Sequence, residues 1–409
     1  MKKGYKCTIC TGCGRCFGEN ECIPHIISFS GSKTIPSKPL CAPAICADIG
    51  TTTIAMICTD MSGRVLSSRP SLNPQGKYGA DVISRIKAGK DPVILEEMKQ
   101  SVLNVLSEGA AEFLSLCSPS EIYISANTTM SYLLMGSDPS ELGEAPFRAE
   151  HTGGAVFDLP VKDRTLKCIL LPGFSAFVGA DIYAGILATG LCSSEKYRLL
   201  CDLGTNGEIA LGNREHLYVT ATAAGPAFEG GPCKGIWGAD MIHFASLLLD
   251  EGIMDNTGLL KDPYFDNGIM IGSAHVTQES IRALQLAKGA MNAGIKILLD
   301  KAGITYDDVE MCILAGGFGY HLDPGDAVRT GLLPSKLLPV CRPGGNTALM
   351  GALEYAALTG RCHEGPDERM TDPDPMDIFS VLPPHTVINL AEESSFNSLY
   401  LNALNFENI

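Results

Sequence analysis

The chain has one tryptophan, and aromatic residues make up only 7% of it. It also lacks a basic surplus: 31 Lys and Arg stand against 46 Asp and Glu, a net charge of −15. A surface that follows a phosphate backbone needs clustered Lys and Arg, so nucleic acid is not an expected partner. No stretch of 18 or more apolar residues occurs, so no membrane-spanning helix is expected. The basic start Met1-Lys2-Lys3-Gly4-Tyr5-Lys6-Cys7 has no apolar run behind it, so it does not read as a secretory signal, and the cytoplasm is the expected compartment. Charged residues amount to only 19% against 45% hydrophobic, which excludes a disordered chain. With 409 residues there is enough material for a large core and more than one domain.

Cysteine is abundant, at 16 residues, seven of them within the first 46. In a reducing compartment such clustering points to metal or redox chemistry rather than disulfides. The run Cys7-x2-Cys10-x2-Cys13-x2-Cys16-x5-Cys22 is dense, with Gly12, Gly14 and Gly18 to let the loop wrap and Pro24 shortly after. Thiolates at two-residue spacing reach three corners of a cubane from one loop, with a more distant cysteine at the fourth. A [4Fe–4S] cluster is therefore expected on four of Cys7, Cys10, Cys13, Cys16 and Cys22. Both Cys10, Cys13, Cys16 with Cys22 and Cys7, Cys10, Cys13 with Cys16 satisfy the spacing. Zinc is the alternative, but zinc ribbons usually separate two cysteine pairs by a longer stretch. Cys41 and Cys46 are read as ordinary buried cysteines rather than members of a larger cluster.

Residues 28–44, rich in Ser, Pro and Lys, read as a linker to a larger body. Strands alternate with helices through that body, which means α/β architecture. Strands are predicted at Ala44–Asp48, Glu121–Ala126, Cys168–Leu171, Tyr197–Asp202 and Glu310–Ala315. Helices are predicted at Leu95–Cys117, Thr128–Met135, Phe177–Thr189, Gln278–Lys301 (with Thr277 as its cap) and Asn346–Leu358. The tail has two apolar segments, Phe379–Leu382 and Thr386–Leu390, as candidates for an edge strand. The expected domains are 1–43, 44–194, 195–362 and the tail 363–409.

An internal repeat carries most of the functional information. Ala47-Asp48-Ile49-Gly50-Thr51-Thr52-Thr53 is echoed by Cys201-Asp202-Leu203-Gly204-Thr205-Asn206-Gly207, each copy following an apolar strand. Glycine lets a backbone approach phosphate, amide N–H groups and Thr hydroxyls donate to phosphate oxygens, and an Asp at the strand tip holds Mg²⁺, usually through water. Gly50, Thr51, Thr52, Thr53, Gly204, Thr205, Asn206 and Gly207 are thus candidate phosphate-binding residues, with Asp48 and Asp202 as the catalytic carboxylates. Glu208, just after the second turn, either positions the attacking water or braces the hairpin. A third element, Ile313-Leu314-Ala315-Gly316-Gly317-Phe318-Gly319, is a strand entering a glycine turn where adenine can lie on bare backbone. Gly316, Gly317 and Phe318 are the candidates there.

These three elements, in this order, resemble the phosphate-1, phosphate-2 and adenosine motifs of the actin/Hsp70/sugar-kinase superfamily. Segments at Gly179-Ala180-Asp181 and Gly344-Gly345-Asn346 resemble its connecting helices. Tyr78-Gly79-Ala80-Asp81-Val82, Asn127-Thr128-Thr129-Met130, Ala224-Gly225-Pro226-Ala227-Phe228-Glu229-Gly230 and Gln285-Leu286-Ala287-Lys288 are similar to segments of the reductive activators of corrinoid proteins. The resemblance implies a duplicated α/β ATPase fold behind a small cysteine-rich segment, with ATP, Mg²⁺ and an iron–sulfur cluster as cofactors. It places Gly225, Gln285 and Lys288 among the nucleotide-binding residues. It also implies ATP-dependent reduction of a Co(II) corrinoid to Co(I) on a corrinoid protein or corrinoid-dependent methyltransferase. A ferredoxin or flavodoxin would be the upstream donor, and a homodimer is a possible assembly. The head departs from the best-known members, which carry a plant-type [2Fe–2S] domain. The alternatives are ATP-driven electron donation to another low-potential enzyme and a small-molecule kinase of the same fold, for which the sequence offers no clear carboxylate base.

Overall fold

Each Asp-Gly turn closes a β-hairpin that begins a separate mixed sheet. The computed structural model describes residues 36–204, 207–222, 238–272, 274–316, 322–359 and 381–406. Among these, 36–190 with 346–359 form one compact unit, and 191–345 with 384–406 form another.

In the first unit the strands are β1 (Ile45–Ile49), β2 (Thr53–Thr59), β3 (Val65–Leu72), β4 (Glu121–Ala126), β5 (Val156–Val161) and β6 (Arg164–Leu170), in the spatial order β3-β2-β1-β4-β6-β5. The helices between them are α1 (Val82–Ala88), α2 (Pro92–Phe113), α3 (Thr128–Met135) and α4 (Ala180–Thr189). Alternation along β1 divides the core. Ile45, Ala47 and Ile49 face a cluster with Met98, Val102 and Leu106 of α2 and Met130 and Leu133 of α3. Cys46 faces the other way, against Tyr183 and Ala184 of α4 and Leu349 and Leu353 of a helix from far along the chain, Thr347–Thr359. Cys46 is buried as expected, whereas Cys41 is only partly buried and is disulfide-bonded, so it is not the ordinary buried cysteine expected.

The second unit repeats this plan. Its strands are β7 (Tyr197–Leu203), β8 (Gly207–Gly212), β9 (Leu217–Thr222), the small pair β10 (Ile269–Ile271) and β11 (Ala274–Val276), then β12 (Val309–Ala315), β13 (Cys341–Gly345) and β14 (His385–Val387). The main sheet runs β13-β12-β7-β8-β9-β14. The antiparallel meander β7-β8-β9, with β12 parallel to β7, matches β1-β2-β3 with β4 parallel to β1. Topology therefore bears out the duplication read from the repeat. The helices are α5 (Gly238–Asp250), α6 (Tyr264–Asn267), α7 (Gln278–Ala302) and α8 (Pro324–Arg329); the helix Thr347–Thr359 is α9 and Phe396–Asn402 is α10. α7 starts where its cap predicts: Thr277 and Ser280 form a reciprocal capping box, and Gly303 ends the helix in the left-handed conformation. Of the two tail segments, Thr386–Leu390 contributes the edge strand β14 beside β9, whereas 360–380 lies outside the described residues.

The observed units differ from the expected boundary at 362. Helix α9 packs with α4, β1 and β4, and so belongs with residues 44–190. The packing explains why: a Cβ on Gly351 would lie 1.8 Å from the backbone oxygen of Ala184, so the two helices cross at a distance only glycine permits. The C-terminal segment 384–406 belongs to the second unit.

Candidate functional site

The first Asp-Gly turn is built from β1 and β2. Gly50 N–H donates to Thr53 O at 2.9 Å, closing the hairpin. By the alternation that separates the two cores, Asp48 shares its face of the sheet with Cys46, the face covered by α4 and α9. Two polar residues meet it there. Asn346, which caps α9, donates from Nδ2 to Asp48 Oδ2 at 2.9 Å. Asp181, in the first turn of α4, is close enough for its charge to act on Asp48. Burial pushes the Asp48 carboxyl up to about 7; the Asn346 hydrogen bond opposes that rise and Asp181 adds to it. Burial likewise raises Asp181 to about 6, against the backbone N–H of Ile182, which donates to its Oδ1 at 2.9 Å.

Two desolvated carboxylates, one of which feels the charge of the other, form a donor set that a divalent cation relieves. Mg²⁺ fits, because it takes one or two protein carboxylates and completes its shell with water and phosphate oxygens. Among the described residues, no group of three or more His, Cys, Asp or Glu side chains could hold a metal ion. Asp181 and Asn346 were legible in the sequence only as parts of connecting segments. Their roles depend on α4 and α9 reaching β1, which no local pattern reports.

In the second unit, Asp202 and Glu208 stand directly opposite each other on β7 and β8. Leu199, Cys201 and Leu203 of β7, with Ile209 and Leu211 of β8, face the core, so the two carboxylates share the opposite face. Gly316 ends β12 beside them, where Ala315 pairs with Asp202. Its φ is +90°, and a Cβ there would lie 2.4 Å from Leu203 O and 2.6 Å from Asp202 Oδ1. Thus the strand of the adenosine motif and the second Asp turn adjoin, as the motif order anticipates, and Gly316 is required by both its backbone conformation and its neighbours.

Other candidates stand elsewhere. A Cβ on Gly207 would lie 2.1 Å from Met291 Sδ, so this glycine makes room for α7 against the sheet. Gln285 and Lys288 of α7 hold the C-terminal segment. Lys288 is fully buried, donating to Ala403 O at 2.7 Å and Asn405 O at 2.6 Å, with its Nζ 4.8 Å from the centroid of the Phe406 ring. Gln285 Nε2 donates to Thr257 O at 3.0 Å and Leu404 O at 2.9 Å. A lysine on an otherwise apolar stripe invites a ligand-binding reading, and the carbonyls that occupy it lie more than 100 residues away. Thr205, Asn206, Gly225, Gly317, Phe318 and the cysteines Cys7, Cys10, Cys13, Cys16 and Cys22 lie outside the described residues. No helix among the described residues is long and apolar enough to cross a membrane.

Comparison with known proteins agrees with this geometry. The family model for the RACo middle region matches residues 43–194, and that for the C-terminal domain of RACo, the ASKHA domain, matches 196–234 and 231–408. The corrinoid activation enzyme RamQ of Eubacterium limosum is 32% identical over 405 residues, covering 81% of this chain and 68% of that protein. The [Co(II) methylated amine-specific corrinoid protein] reductase of Methanosarcina barkeri is 24% identical over 297 residues, covering 59% of this chain and 52% of that one. Among solved structures, a reductive activator for corrinoid, iron–sulfur protein superposes with a TM-score of 0.74 at 25% identity, covering 92% of this chain and 67% of that one. With both family models matched in order along nearly the whole body, the chain belongs to the RACo family and carries its ASKHA fold.

Proposed function

We propose that this protein is a reductive activator of a corrinoid protein, using ATP to return an inactive Co(II) corrinoid to Co(I). The observation that carries the reading is the coincidence of family and site. A member of the RACo family holds, at the tip of its first repeated strand, a carboxylate pair of displaced pKa suited to a Mg²⁺–phosphate complex. The relatives named as corrinoid activation enzyme and corrinoid protein reductase support the choice of substrate.

In this reading Asp48 and Asp181 orient the hydrated metal, Gly50 lets the turn approach the phosphates, and the hydroxyl of Thr51 donates to a phosphate oxygen. Asp202 does the corresponding work in the second unit, and Glu208 orients the attacking water. Gly316, Gly317 and Phe318 receive the adenine. The cysteine head, through four of Cys7, Cys10, Cys13, Cys16 and Cys22, would hold a [4Fe–4S] cluster, which supplies one electron per transfer. Differential affinity of ATP for two conformations of the body supplies the coupling, since a ligand biases an equilibrium only by binding one state better. The partner is a corrinoid protein or a corrinoid-dependent methyltransferase, and a ferredoxin or flavodoxin supplies the electron.

The test is anaerobic incubation of the purified protein with MgATP, a low-potential reductant and candidate Co(II) corrinoid proteins. Appearance of the Co(I) absorbance only with ATP is expected, with Asp48→Ala and Asp202→Ala inactive. Reduction at an equal rate without ATP, or phosphorylation of a small molecule in its place, would overturn the proposal.

A further inference from the structure

Three asparagines surround the first Asp-Gly turn, and each makes the same pair of hydrogen bonds. Asn73 accepts at Oδ1 from Gln75 N–H at 3.0 Å, capping the short 3₁₀ turn Pro74–Tyr78, and donates from Nδ2 to Gly50 O at 2.8 Å. Asn127 accepts at Oδ1 from Met130 N–H at 2.9 Å, capping α3, and donates from Nδ2 to Thr51 Oγ1 at 3.3 Å. Asn346 accepts at Oδ1 from Leu349 N–H at 2.8 Å, capping α9, and donates from Nδ2 to Asp48 Oδ2 at 2.9 Å. All three lie in the same unit as the turn.

The direction of each carboxamide follows from its partners. A backbone N–H only donates, so the amide oxygen faces the helix and the nitrogen faces the turn. At Gly50 O and Asp48 Oδ2 the turn offers only acceptors, which agrees. Ser, Thr and Asp cap helices as well as Asn does, but none has a second arm that donates. Caps elsewhere in the chain use those residues: Asp81 on α1, Asp91 on α2, Thr277 on α7 and Asp323 on α8. Asn389, an asparagine cap in the second unit, donates its amide to Glu392, three residues along the chain. Asparagine is thus found where a cap must also reach the Asp48 turn.

We infer that Asn73, Asn127 and Asn346 are positioning residues for nucleotide binding, locking the Asp48–Thr51 turn to the ends of three helical segments. Their donation also sets the polarity of the turn. With Asn127 donating to Thr51 Oγ1, the Thr51 hydroxyl keeps its own proton to give to an acceptor, as a phosphate oxygen requires. With Asn346 on Asp48 Oδ2, the other carboxylate oxygen is left for a metal-bound water. Backbone packing fixes Asn127 further: a Cβ on Gly179, at the start of α4, would lie 2.6 Å from Asn127 Cα. The inference rests on the proposal that MgATP binds at this turn.

Serine separates positioning from capping, because its hydroxyl retains the cap but it lacks the carboxamide N–H arm that reaches the turn. The full-length protein, prepared anaerobically, would be compared as wild type, Asn73→Ser, Asn127→Ser, Asn346→Ser and Asp48→Ala. Thermal unfolding without nucleotide and MgATP affinity by calorimetry would both be measured. Each serine variant is expected to melt within about 2 °C of wild type and to bind MgATP more weakly, about fivefold for Asn73 and Asn127, the effect of one lost neutral hydrogen bond, and about tenfold or more for Asn346, whose partner is a carboxylate. Asn73→Asp and Asn127→Asp, which cap equally well, should weaken binding at least as much and guard against a serine variant that folds poorly. Serine variants that bind MgATP like wild type while Asp48→Ala does not would overturn the positioning role and leave only caps. A wild-type protein that binds no MgATP would instead bring down the underlying nucleotide reading, and this inference with it.

Discussion

At the scale of single residues, the Asp-x-Gly-Thr turns could be read from the sequence because they occur twice, each behind an apolar strand. What surrounds them could not. Asp48 and Asn346 are 298 residues apart, and nothing local to either announces the bond between them. Gly207 carries a demand that the repeat does not report. It stands in the right place in the repeat to receive a phosphate, yet its lack of a side chain serves Met291 on a distant helix.

The carboxylate at Asp48 makes a testable demand on stability. Its pKa in the folded, nucleotide-free protein is about 7, well above the ordinary 3.8. A raised carboxylate pKa means the folded state holds its proton longer than the unfolded state does. Stability is therefore unaffected below about pH 4 and falls as pH rises toward 7, where the charge must be buried. Asp48→Asn removes that penalty. The variant is expected to melt above wild type at pH 8, by at most about 4 kcal/mol, with the gap closing by about pH 4. Thermal melts across that range check it, and a variant less stable than wild type at pH 8 would contradict the pKa assignment.

Among elements, α7 was the most legible in the sequence, since its apolar period, its threonine cap and its terminal glycine all agree. What two of its side chains hold was not legible. Gln285 and Lys288 lie on its buried side, where a lysine demands acceptors, and those acceptors are main-chain carbonyls of the segment after α10. Periodicity shows that a face is covered, not what covers it. Replacing Lys288 by Met keeps the length and apolar stem but leaves the Ala403 and Asn405 carbonyls without that donor. Hydrogen exchange over 396–406 should accelerate about tenfold or more, while exchange in β1 and β2 stays as in wild type. Equal acceleration across both units would mean Lys288 supports more than the C-terminal segment. Unchanged MgATP affinity in the same variant would separate this lysine from the nucleotide.

At the scale of the whole molecule, the α/β class, the duplication and the order of the three nucleotide motifs were in the sequence, because each is a repeat or an alternation. The division into units was not, because α9 is continuous in sequence with one unit and packed into the other. Ending the chain at Gly345 should show this. Tyr183, Ala184 and Leu187 of α4, now buried against α9, would become exposed. The shortened protein is expected to bind an apolar dye and to lose the cooperative melting of the first unit. A sharp transition with no dye binding would mean that α9 is dispensable to that unit.

The late arrival of α9 also sets a timetable. On the ribosome, β1 and its Asp-Gly turn emerge early, but the helix that buries α4 and supplies Asn346 to Asp48 is made almost 300 residues afterwards. Through most of translation the first unit is a half-built layer with an open apolar face, closed only by chain that has already passed through every strand of the second sheet but β14. Loop closure over such a distance is slow, so the unit begun first waits for chain made after most of the second. A nascent chain therefore has no finished Asp48 turn until nearly all of the body exists, and an interrupted message yields no fragment with that turn complete.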